Sequence, residues 1–177
     1  MKDTDLQKLE EGIRDVQDFP KPGILFKDIT PVLSDGNLFR LAIDGFIETA
    51  REEKVSKIIG IDARGFIFGA AVADRLGIGF VPIRKKGKLP WQCEAIAYKL
   101  EYGEAEVEVH RDAIAPGEKV MMDEDLLATG GTAAAALELV QKLGGDVICA
   151  TFLIELEFLD GRKNLPDDVR VESLLTY

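Results

Sequence analysis

A glycine-rich turn before a helix-like segment is the residue pattern in this chain with the most evident chemistry. The stretch EDLLATGGT, residues 124–132, ends in that turn. Backbone N–H groups at a helix N-terminus bind phosphate, and glycines let a ligand approach the backbone closely. The threonine hydroxyl groups add hydrogen-bond donors. The sequence therefore predicts a phosphate site formed by Ala128, Thr129, Gly130, Gly131 and Thr132.

Carboxylates precede the turn, and they fit a different part of the same ligand. Asp123, Glu124 and Asp125 follow the apolar run Lys119 to Met122, which predicts a buried strand. Ligands of open parallel sheets bind beyond the carboxyl ends of the strands. Because carboxylates repel phosphate, we expect them to bind hydroxyl groups or Mg²⁺. A phosphate beside a diol indicates a sugar phosphate, most simply ribose 5-phosphate.

Two simpler explanations of the turn fit less well. A plain strand, turn and helix, with glycines that serve only packing, accounts for neither the acids nor the two threonines. A nucleotide-binding P-loop is excluded, since no Gly-Lys-Ser/Thr follows the glycines.

Alternating helix and strand patterns place this turn in an α/β fold. Apolar residues at helical spacing run from Phe39 to Ala50, and two further helices are predicted over Gly65 to Leu76 and Gly130 to Leu143. The last two end before glycines, Gly77 and Gly144, which are typical helix C-caps. Short runs that are apolar on both faces predict a doubly wound parallel sheet covered by helices. These runs are Lys57 to Ile61, Gly79 to Ile83, Lys119 to Met122 and Val147 to Ile154.

Two segments do not fit the alternation. Phe19 to Pro31 holds three of the seven prolines, so we expect a rigid extended segment over the sheet. Ala95 to Val109 reads as two alternating strands around Gly103 and Glu104, which predicts a projecting hairpin.

Composition limits the classes of protein that remain. A chain of 177 residues is long enough for one domain, and no apolar run is long enough to cross a bilayer. The net charge of −10 argues against general nucleic-acid binding. The chain has two cysteines, Cys93 and Cys149, and one histidine, His110. We therefore do not expect a disulfide framework, a zinc site or a histidine-based catalytic triad. No signal pattern is present, so we expect a cytoplasmic location.

Five separate motifs, found in the same order, give the chain a family resemblance. They are FPKPGILFKDITP (19–31), GIDARGFIFGAA (60–71), VPIRKKGKLP (81–90), LEYG (100–103) and EDLLATGGT (124–132). Along nearly the whole chain the sequence resembles the adenine phosphoribosyltransferases of the type I phosphoribosyltransferase family. The resemblance implies a central parallel sheet flanked by helices. It also implies one domain over 1–177, with a small N-terminal hood (1–35) and a flexible loop and β-hairpin flap (84–109).

The resemblance also implies the reaction. Such enzymes join adenine to phosphoribosyl diphosphate, release AMP and diphosphate, use Mg²⁺ and usually form homodimers. We expect the Mg²⁺ to be held mainly by the diphosphate and by water, so no protein metal ligand is assigned. Two alternatives stay open: transfer to another purine base such as hypoxanthine or xanthine, and a non-catalytic regulator that uses the same fold to sense a nucleotide.

The resemblance assigns the two ends of the sugar ligand. Glu124 and Asp125 are expected to bind the ribose hydroxyl groups. Asp62, Ala63 and Arg64 are expected to bind the diphosphate, with a cis peptide bond between Asp62 and Ala63.

The basic stretch RKKGK supplies further positive charge to the leaving diphosphate. A solvated charge run is its simplest explanation, but it follows a predicted buried strand at the ligand-binding edge. Arg84 and Lys88 are assigned to the diphosphate, while the roles of Lys85 and Lys86 stay open.

The resemblance places the base in an apolar slot. Phe26 is expected to lie against one face of adenine and Leu159 to close the other, while Leu25 and Lys27 offer backbone groups to its edge. The alternative for these residues is ordinary core packing, and the sequence alone does not decide between the two.

The flap residues are assigned to proton transfer. Glu101 matches the proposed acid/base residue of the family, and Tyr102 matches its flap aromatic. We expect the flap to close as a mobile lid that keeps water from the sugar. Against this, Glu101 lies in a hairpin with three other glutamates, and any one of them is most simply a solvated side chain.

Two departures from the family occur at the strand before the turn. Glu124 stands where Asp is usual, which keeps the charge but lengthens the arm. Asp123 stands where an apolar residue is usual, and a carboxylate without a partner is costly if buried.

Overall fold

The computed structural model describes residues 1–100 and 103–177, and within them the chain forms five α-helices, nine strands and two short 3-10 turns. The helices are α1 (Asp3–Gly12), α2 (Thr30–Ser34), α3 (Gly36–Glu53), α4 (Gly65–Leu76) and α5 (Gly131–Lys142). The strands are β1 (Arg14–Gln17), β2 (Leu25–Asp28), β3 (Lys57–Ile61), β4 (Gly79–Lys85), β5 (Cys93–Leu100), β6 (Gly103–His110), β7 (Lys119–Leu127), β8 (Asp146–Glu155) and β9 (Arg170–Thr176). The 3-10 turns cover Glu157–Leu159 and Gly161–Asn164.

Seven of these strands form one sheet in the order β5-β6-β4-β3-β7-β8-β9. The parallel part of this sheet consists of β4, β3, β7, β8 and β9. Strand β6 pairs antiparallel with both β4 and β5. The predicted α/β fold with a central parallel sheet is therefore confirmed. Within the described residues, no helix combines the length and apolar character that a membrane span requires.

The parallel strands bury both faces because a helical layer covers each side. Alternate residues of one strand enter different clusters: Met122 packs with the residues of α5, while Met121 packs with those of α3 and α4. Phe46 and Phe68 meet edge to face, with ring centroids 5.7 Å apart, in the second cluster. Burial on both faces explains why these strands read as continuous apolar runs.

The predicted helices agree closely with those in the structure. The periodic apolar residues lie in α3, whose N-cap Asp35 accepts hydrogen bonds from the backbone N–H groups of Asn37 and Leu38. Helix α4 has its predicted ends, and Gly77 takes the left-handed conformation with φ of 68° that a C-cap requires.

Strand β7 is longer than predicted, which corrects the position of the acidic residues. Asp123, Glu124 and Asp125 lie within the strand and not beyond its end. Asp123 pairs with Thr151, and the ladder with β8 continues to Leu127. Three successive acids predict the end of a strand, because charged side chains are seldom buried in a sheet.

The two strands of the hairpin extend the main sheet, but Gly103 and Glu104 do not form its turn as predicted. They lie in β6, where they pair with Leu100 and Lys99. Residues 101–102 lie outside the described part of the chain. Val107 and Val109 are fully buried in the core. Strand β6 is thereby fixed to the body of the protein at its carboxyl end.

The proline-rich N-terminal segment stays outside the seven-stranded sheet, as expected, but it is not extended throughout. Its residues Leu25–Asp28 form β2, which pairs antiparallel with β1 in a separate two-stranded sheet. Thr30 and Pro31 then begin α2, where proline is tolerated because the first helical N–H groups have no partner within the helix.

Candidate active site

A cavity of about 270 Å³ opens at the end of β3, beside the acidic part of β7. Three segments line it: the turn after β3, the acidic part of β7 and the first residues of α5. Its lining residues are Ile61, Asp62, Ala63, Arg64, Glu124, Asp125, Leu126, Thr132 and Ala133. The cavity thus brings together residues 62–64, predicted to bind the diphosphate, the two acids predicted to bind the ribose, and Thr132 of the predicted phosphate turn.

Asp125 is a buried carboxylate held by an arginine of the facing turn. Its Oδ2 atom lies 2.8 Å from Nε of Arg64. Burial raises the pKa of Asp125 above its ordinary value, and the Arg64 guanidinium partly offsets that increase. The ion pair joins the diphosphate turn to the strand that carries the acids.

Glu124 is nearly buried and bonded to the neighbouring strand. Its Oε1 atom accepts a hydrogen bond from the backbone N–H of Ile61 at 2.6 Å. Burial raises the pKa of Glu124 well above its ordinary value, and the nearby Asp125 raises it further. The longer arm of Glu, relative to the usual Asp, is what reaches the backbone of β3.

Gly65 is required for this placement of Glu124, and sequence reasoning did not single it out. A Cβ atom on Gly65 would lie only 1.7 Å from Oε1 of Glu124. The sequence does contain a signal for this role of Gly65. A glycine at the first position of a predicted helix, directly after Arg64, indicates that another group approaches the backbone closely.

The turn after β3 has the backbone conformation that the resemblance implied. The peptide bond between Asp62 and Ala63 is cis. Arg84 is held beside this turn, with its Nε and Nη2 atoms each 2.9 Å from Oδ2 of Asp62. Arg64, Arg84 and Asp62 therefore lie in one contiguous group at the edge of the cavity.

The predicted phosphate turn connects β7 directly to α5. Gly130 has a φ of 78°, which favours glycine. It also packs against a second glycine: a Cβ on Gly130 would lie 2.3 Å from the carbonyl oxygen of Gly161, and a Cβ on Gly161 would lie 2.1 Å from that of Ala128. The two backbones are in direct contact, so neither glycine can carry a side chain without a shift.

The segment that supports the phosphate turn is held by polar side chains that sequence reasoning missed. Asn164 donates a hydrogen bond from Nδ2 to the carbonyl oxygen of Thr129 at 2.7 Å. Arg162 binds both carboxylate oxygens of buried Glu155 at 2.6 Å. The segment GRKN, residues 161–164, gave no signal for this role, because a short polar turn has no periodicity and Thr129 lies 35 residues from Asn164.

Replacing Asn164 by alanine is expected to raise the KM for the phosphorylated substrate about fivefold. The change removes the hydrogen bond that fixes the phosphate turn, and such a bond contributes about 1 kcal/mol. The matched control is Lys163→Ala, because Lys163 is exposed and pairs with Asp160 on the surface. Equal KM values for the two variants would contradict this role for Asn164.

The residues assigned to the base lie outside the main sheet. Leu25 and Leu159 are exposed by 45% and 38%, so neither is packed in the core as the simpler explanation required. Phe26 is half-buried, and Phe19 meets its ring edge to face with centroids 5.1 Å apart. Leu25 also lines a second cavity of about 190 Å³, with residues 17–18 and 23–24.

Lys27 is held by its side chain and by the pairing of β2 with β1. Its Nζ atom lies 2.7 Å from Oδ1 of Asp15 and 3.7 Å from the centre of the Tyr177 ring. An ion pair and a cation–π contact together hold the lysine in place. Contact of its backbone with a base stays a prediction.

The basic stretch after β4 divides into different environments. The carbonyl oxygen of Lys88 accepts a hydrogen bond from Nη1 of Arg84 at 3.2 Å, so these two assigned residues are neighbours. Lys86 pairs with Glu106 at 2.5 Å, whereas Lys85 is exposed. Glu101 and Tyr102 fall outside the described residues, so their roles stay predictions.

Comparisons with known proteins agree with this geometry. Residues 33–173 match the family described as phosphoribosyl transferase domain. A curated adenine phosphoribosyltransferase of Nitrosococcus oceani is 51% identical over 97% of this chain and all of that protein. A crystal structure of adenine phosphoribosyltransferase from Rhodothermus marinus has a TM-score of 0.93 and 51% identity, covering 99% of this chain and all of that one.

A more distant structure carries ligands. It is the adenine phosphoribosyltransferase of Saccharomyces cerevisiae, complexed with D-2,5-dideoxy-2,5-imino-altritol 1,6-bisphosphate and adenine. It has a TM-score of 0.92 and 40% identity, and the match covers 97% of this chain and 98% of that one. Together, the fold, the two turns around one cavity and these similarities show that the chain belongs to the phosphoribosyltransferase family and, within it, to the adenine phosphoribosyltransferases.

Proposed function

We propose that this chain transfers the phosphoribosyl group of phosphoribosyl diphosphate to adenine, forming AMP and releasing diphosphate in purine salvage. The observation that carries the proposal is one cavity lined by the turn after β3, by the buried carboxylates of Glu124 and Asp125 and by the first turn of α5. The named activity of the relatives supports the choice of adenine.

The ligand lies across the cavity in this proposal. The 5-phosphate binds the backbone N–H groups and hydroxyls of residues 128–132 at the start of α5. The diphosphate binds the turn of Asp62 and Ala63 together with Arg64, Arg84 and Lys88. The sugar between them faces the carboxylates of β7.

Charge development explains why acids and cations alternate around the cavity. As the bond to diphosphate breaks, negative charge grows on the leaving group and positive charge on the sugar. Arg64 and Arg84 stabilise the first, and Asp125 and Glu124 stabilise the second. Holding the Asp125 carboxylate 2.8 Å from Nε of Arg64 before the reaction lowers the reorganisation that the reaction requires.

Magnesium fits this cavity as an ion held mainly through the substrate. Within residues 1–100 and 103–177, no group of three His, Cys, Asp or Glu side chains is arranged to hold a metal. Asp62, Glu124 and Asp125 are the carboxylates that line the cavity, and in this proposal the diphosphate and water are the main ligands of the ion. When bound, Mg²⁺ neutralises part of the charge of the leaving diphosphate.

The base is assigned to the N-terminal segment. Adenine lies between Phe26 and Leu159 in this proposal, and the backbone groups of Leu25 and Lys27 bind its edge. Glu101 accepts the proton of the attacking nitrogen, and Tyr102 covers the site from the flap. We further propose a homodimer in the cytoplasm, as the family resemblance implies.

Diphosphate release with adenine, guanine, hypoxanthine and xanthine tests the proposal. We expect kcat/KM for adenine to exceed that for each other base by about 100-fold or more, because unmatched hydrogen bonds at the edge of a base are costly. A preference for hypoxanthine or xanthine would assign the chain to another purine. Binding of phosphoribosyl diphosphate without release from any base would favour the sensing regulator.

A further inference from the structure

A buried glutamate of the flap strand has no part in the mechanism described so far. Glu108 on β6 is only 6% exposed, although the acids of this hairpin were expected to be solvated. Its Oε1 atom accepts hydrogen bonds from the backbone N–H groups of Lys88 at 3.0 Å and Leu89 at 2.9 Å. The carboxylate thus holds the loop that carries the assigned cation Lys88.

The charge state of Glu108 follows from these contacts. Burial acts to raise its pKa, but hydrogen bonds from the backbone N–H groups of Leu89, Gly87 and Lys88 outweigh burial, and the pKa lies below its ordinary value. Glu108 is therefore ionised at neutral pH. An ionised acceptor forms stronger hydrogen bonds than a neutral one. The Glu108 carboxylate can therefore hold the basic loop of residues 87–89 in place.

The contacts continue from this loop to the cavity. The carbonyl oxygen of Lys88 accepts a hydrogen bond from Nη1 of Arg84, and Arg84 in turn binds Oδ2 of Asp62 at 2.9 Å. Asp62 lines the cavity at the diphosphate turn. Strand pairing also places Arg84 directly opposite Glu108, so the sheet fixes the positions of these two residues.

We propose that Glu108 is a positioning residue for the diphosphate end of the substrate. It holds the loop of residues 87–89 so that Lys88 and Arg84 present their charges to the diphosphate, and it links the flap strand to the turn of Asp62. The inference rests on the proposed function, because the diphosphate is the group that the loop binds. Glu108 touches no reacting atom.

Replacing Glu108 by alanine is expected to raise the KM for phosphoribosyl diphosphate about tenfold, with the KM for adenine within about twofold of the parent value. The variant leaves two loop N–H groups without their acceptor, so the loop no longer keeps its shape. Glu108→Gln keeps an oxygen that can accept both bonds and is expected to restore most of the affinity.

Glu106→Ala is the matched control. Glu106 lies two residues earlier on β6, but its carboxylate pairs with the side chain of Lys86. Its loss is expected to change neither KM by more than about twofold, since an exposed ion pair contributes little. If Glu108→Ala does not fold, Glu108→Asp withdraws the carboxylate from the loop and is expected to give the same selective loss in smaller degree.

Direct titration of the folded proteins with phosphoribosyl diphosphate and Mg²⁺ separates this inference from the proposed function. A tenfold weaker Kd for Glu108→Ala supports the inference even if no base is transferred. Unchanged affinity in a folded variant overturns it. So does an equal increase in both KM values, or a lower Tm with unchanged kinetics, since each indicates a purely structural role.

Discussion

Replacing Asp125 by asparagine is expected to leave the protein folded and to lower kcat about 100-fold. The carboxylate lies at the cavity wall, beside the position that the proposed function gives to the positively charged sugar. An amide keeps the shape of the side chain but has no net charge to stabilise that sugar. The substitution also weakens the contact with Arg64, which is 2.8 Å away in the parent protein.

Steady-state kinetics with adenine, together with circular dichroism and Tm, measure this effect. The matched control is Asp146→Asn, an exposed aspartate at the start of β8, which is expected to retain the parent kcat. Because the charge matters most in the transition state, kcat is expected to fall more than the affinity for phosphoribosyl diphosphate. A folded Asp125→Asn protein with nearly normal turnover would remove Asp125 from the mechanism.

The fold and the phosphate turn were predictable because both depend on local residue patterns. Apolar runs at strand length and helical spacing place β3, β4, α4 and α5 within a few residues of their observed ends. The glycines and threonines of residues 128–132 identify the turn because backbone conformation and hydrogen-bond donors are properties of the residues themselves.

The contacts that hold the site were not predictable in the same way. Glu108, Gly161 and Asn164 act on residues between 19 and 35 positions away in sequence, and only the folded chain brings them together. The expectation that Glu108 is a solvated side chain was wrong, and the reason lies in the strand pattern. In an alternating strand, glutamate indicates the solvent face, but here the loop after β4 lies over the carboxylate and supplies backbone N–H groups.

Asp123 is the least expected buried group in the chain. It is fully buried, and its Oδ2 atom has no hydrogen-bond partner within the described residues. Its Oδ1 atom lies 2.5 Å from Oγ1 of Thr151, which is also 3.1 Å from the carbonyl oxygen of Met122. Because Thr151 has a single hydroxyl proton, it cannot donate to both oxygens at once. A protonated Asp123 satisfies both contacts, by donating to Thr151 while Thr151 donates to Met122.

Protonation of Asp123 has a consequence for stability. Burial raises the pKa of Asp123 from the ordinary value of 3.8 to about 7. Between these two pH values the unfolded chain binds fewer protons than the folded one. The free energy of unfolding therefore falls as pH rises from about 4 to about 7, and the loss is complete above that range. This increase in the pKa of Asp123 corresponds to a loss of about 4 kcal/mol in the free energy of unfolding.

Replacing Asp123 by asparagine is expected to stabilise the protein above pH 7 by up to about 4 kcal/mol and to change little near pH 4. Asparagine has nearly the same shape, stays neutral and can donate from its amide to Thr151. Urea unfolding of parent and variant across this pH range measures the difference, in which the titration of groups remote from Asp123 cancels. Asp112→Asn, at an exposed position, is the control. A constant difference across the pH range would show that Asp123 keeps its ordinary pKa, and the burial of this carboxylate would then require another explanation.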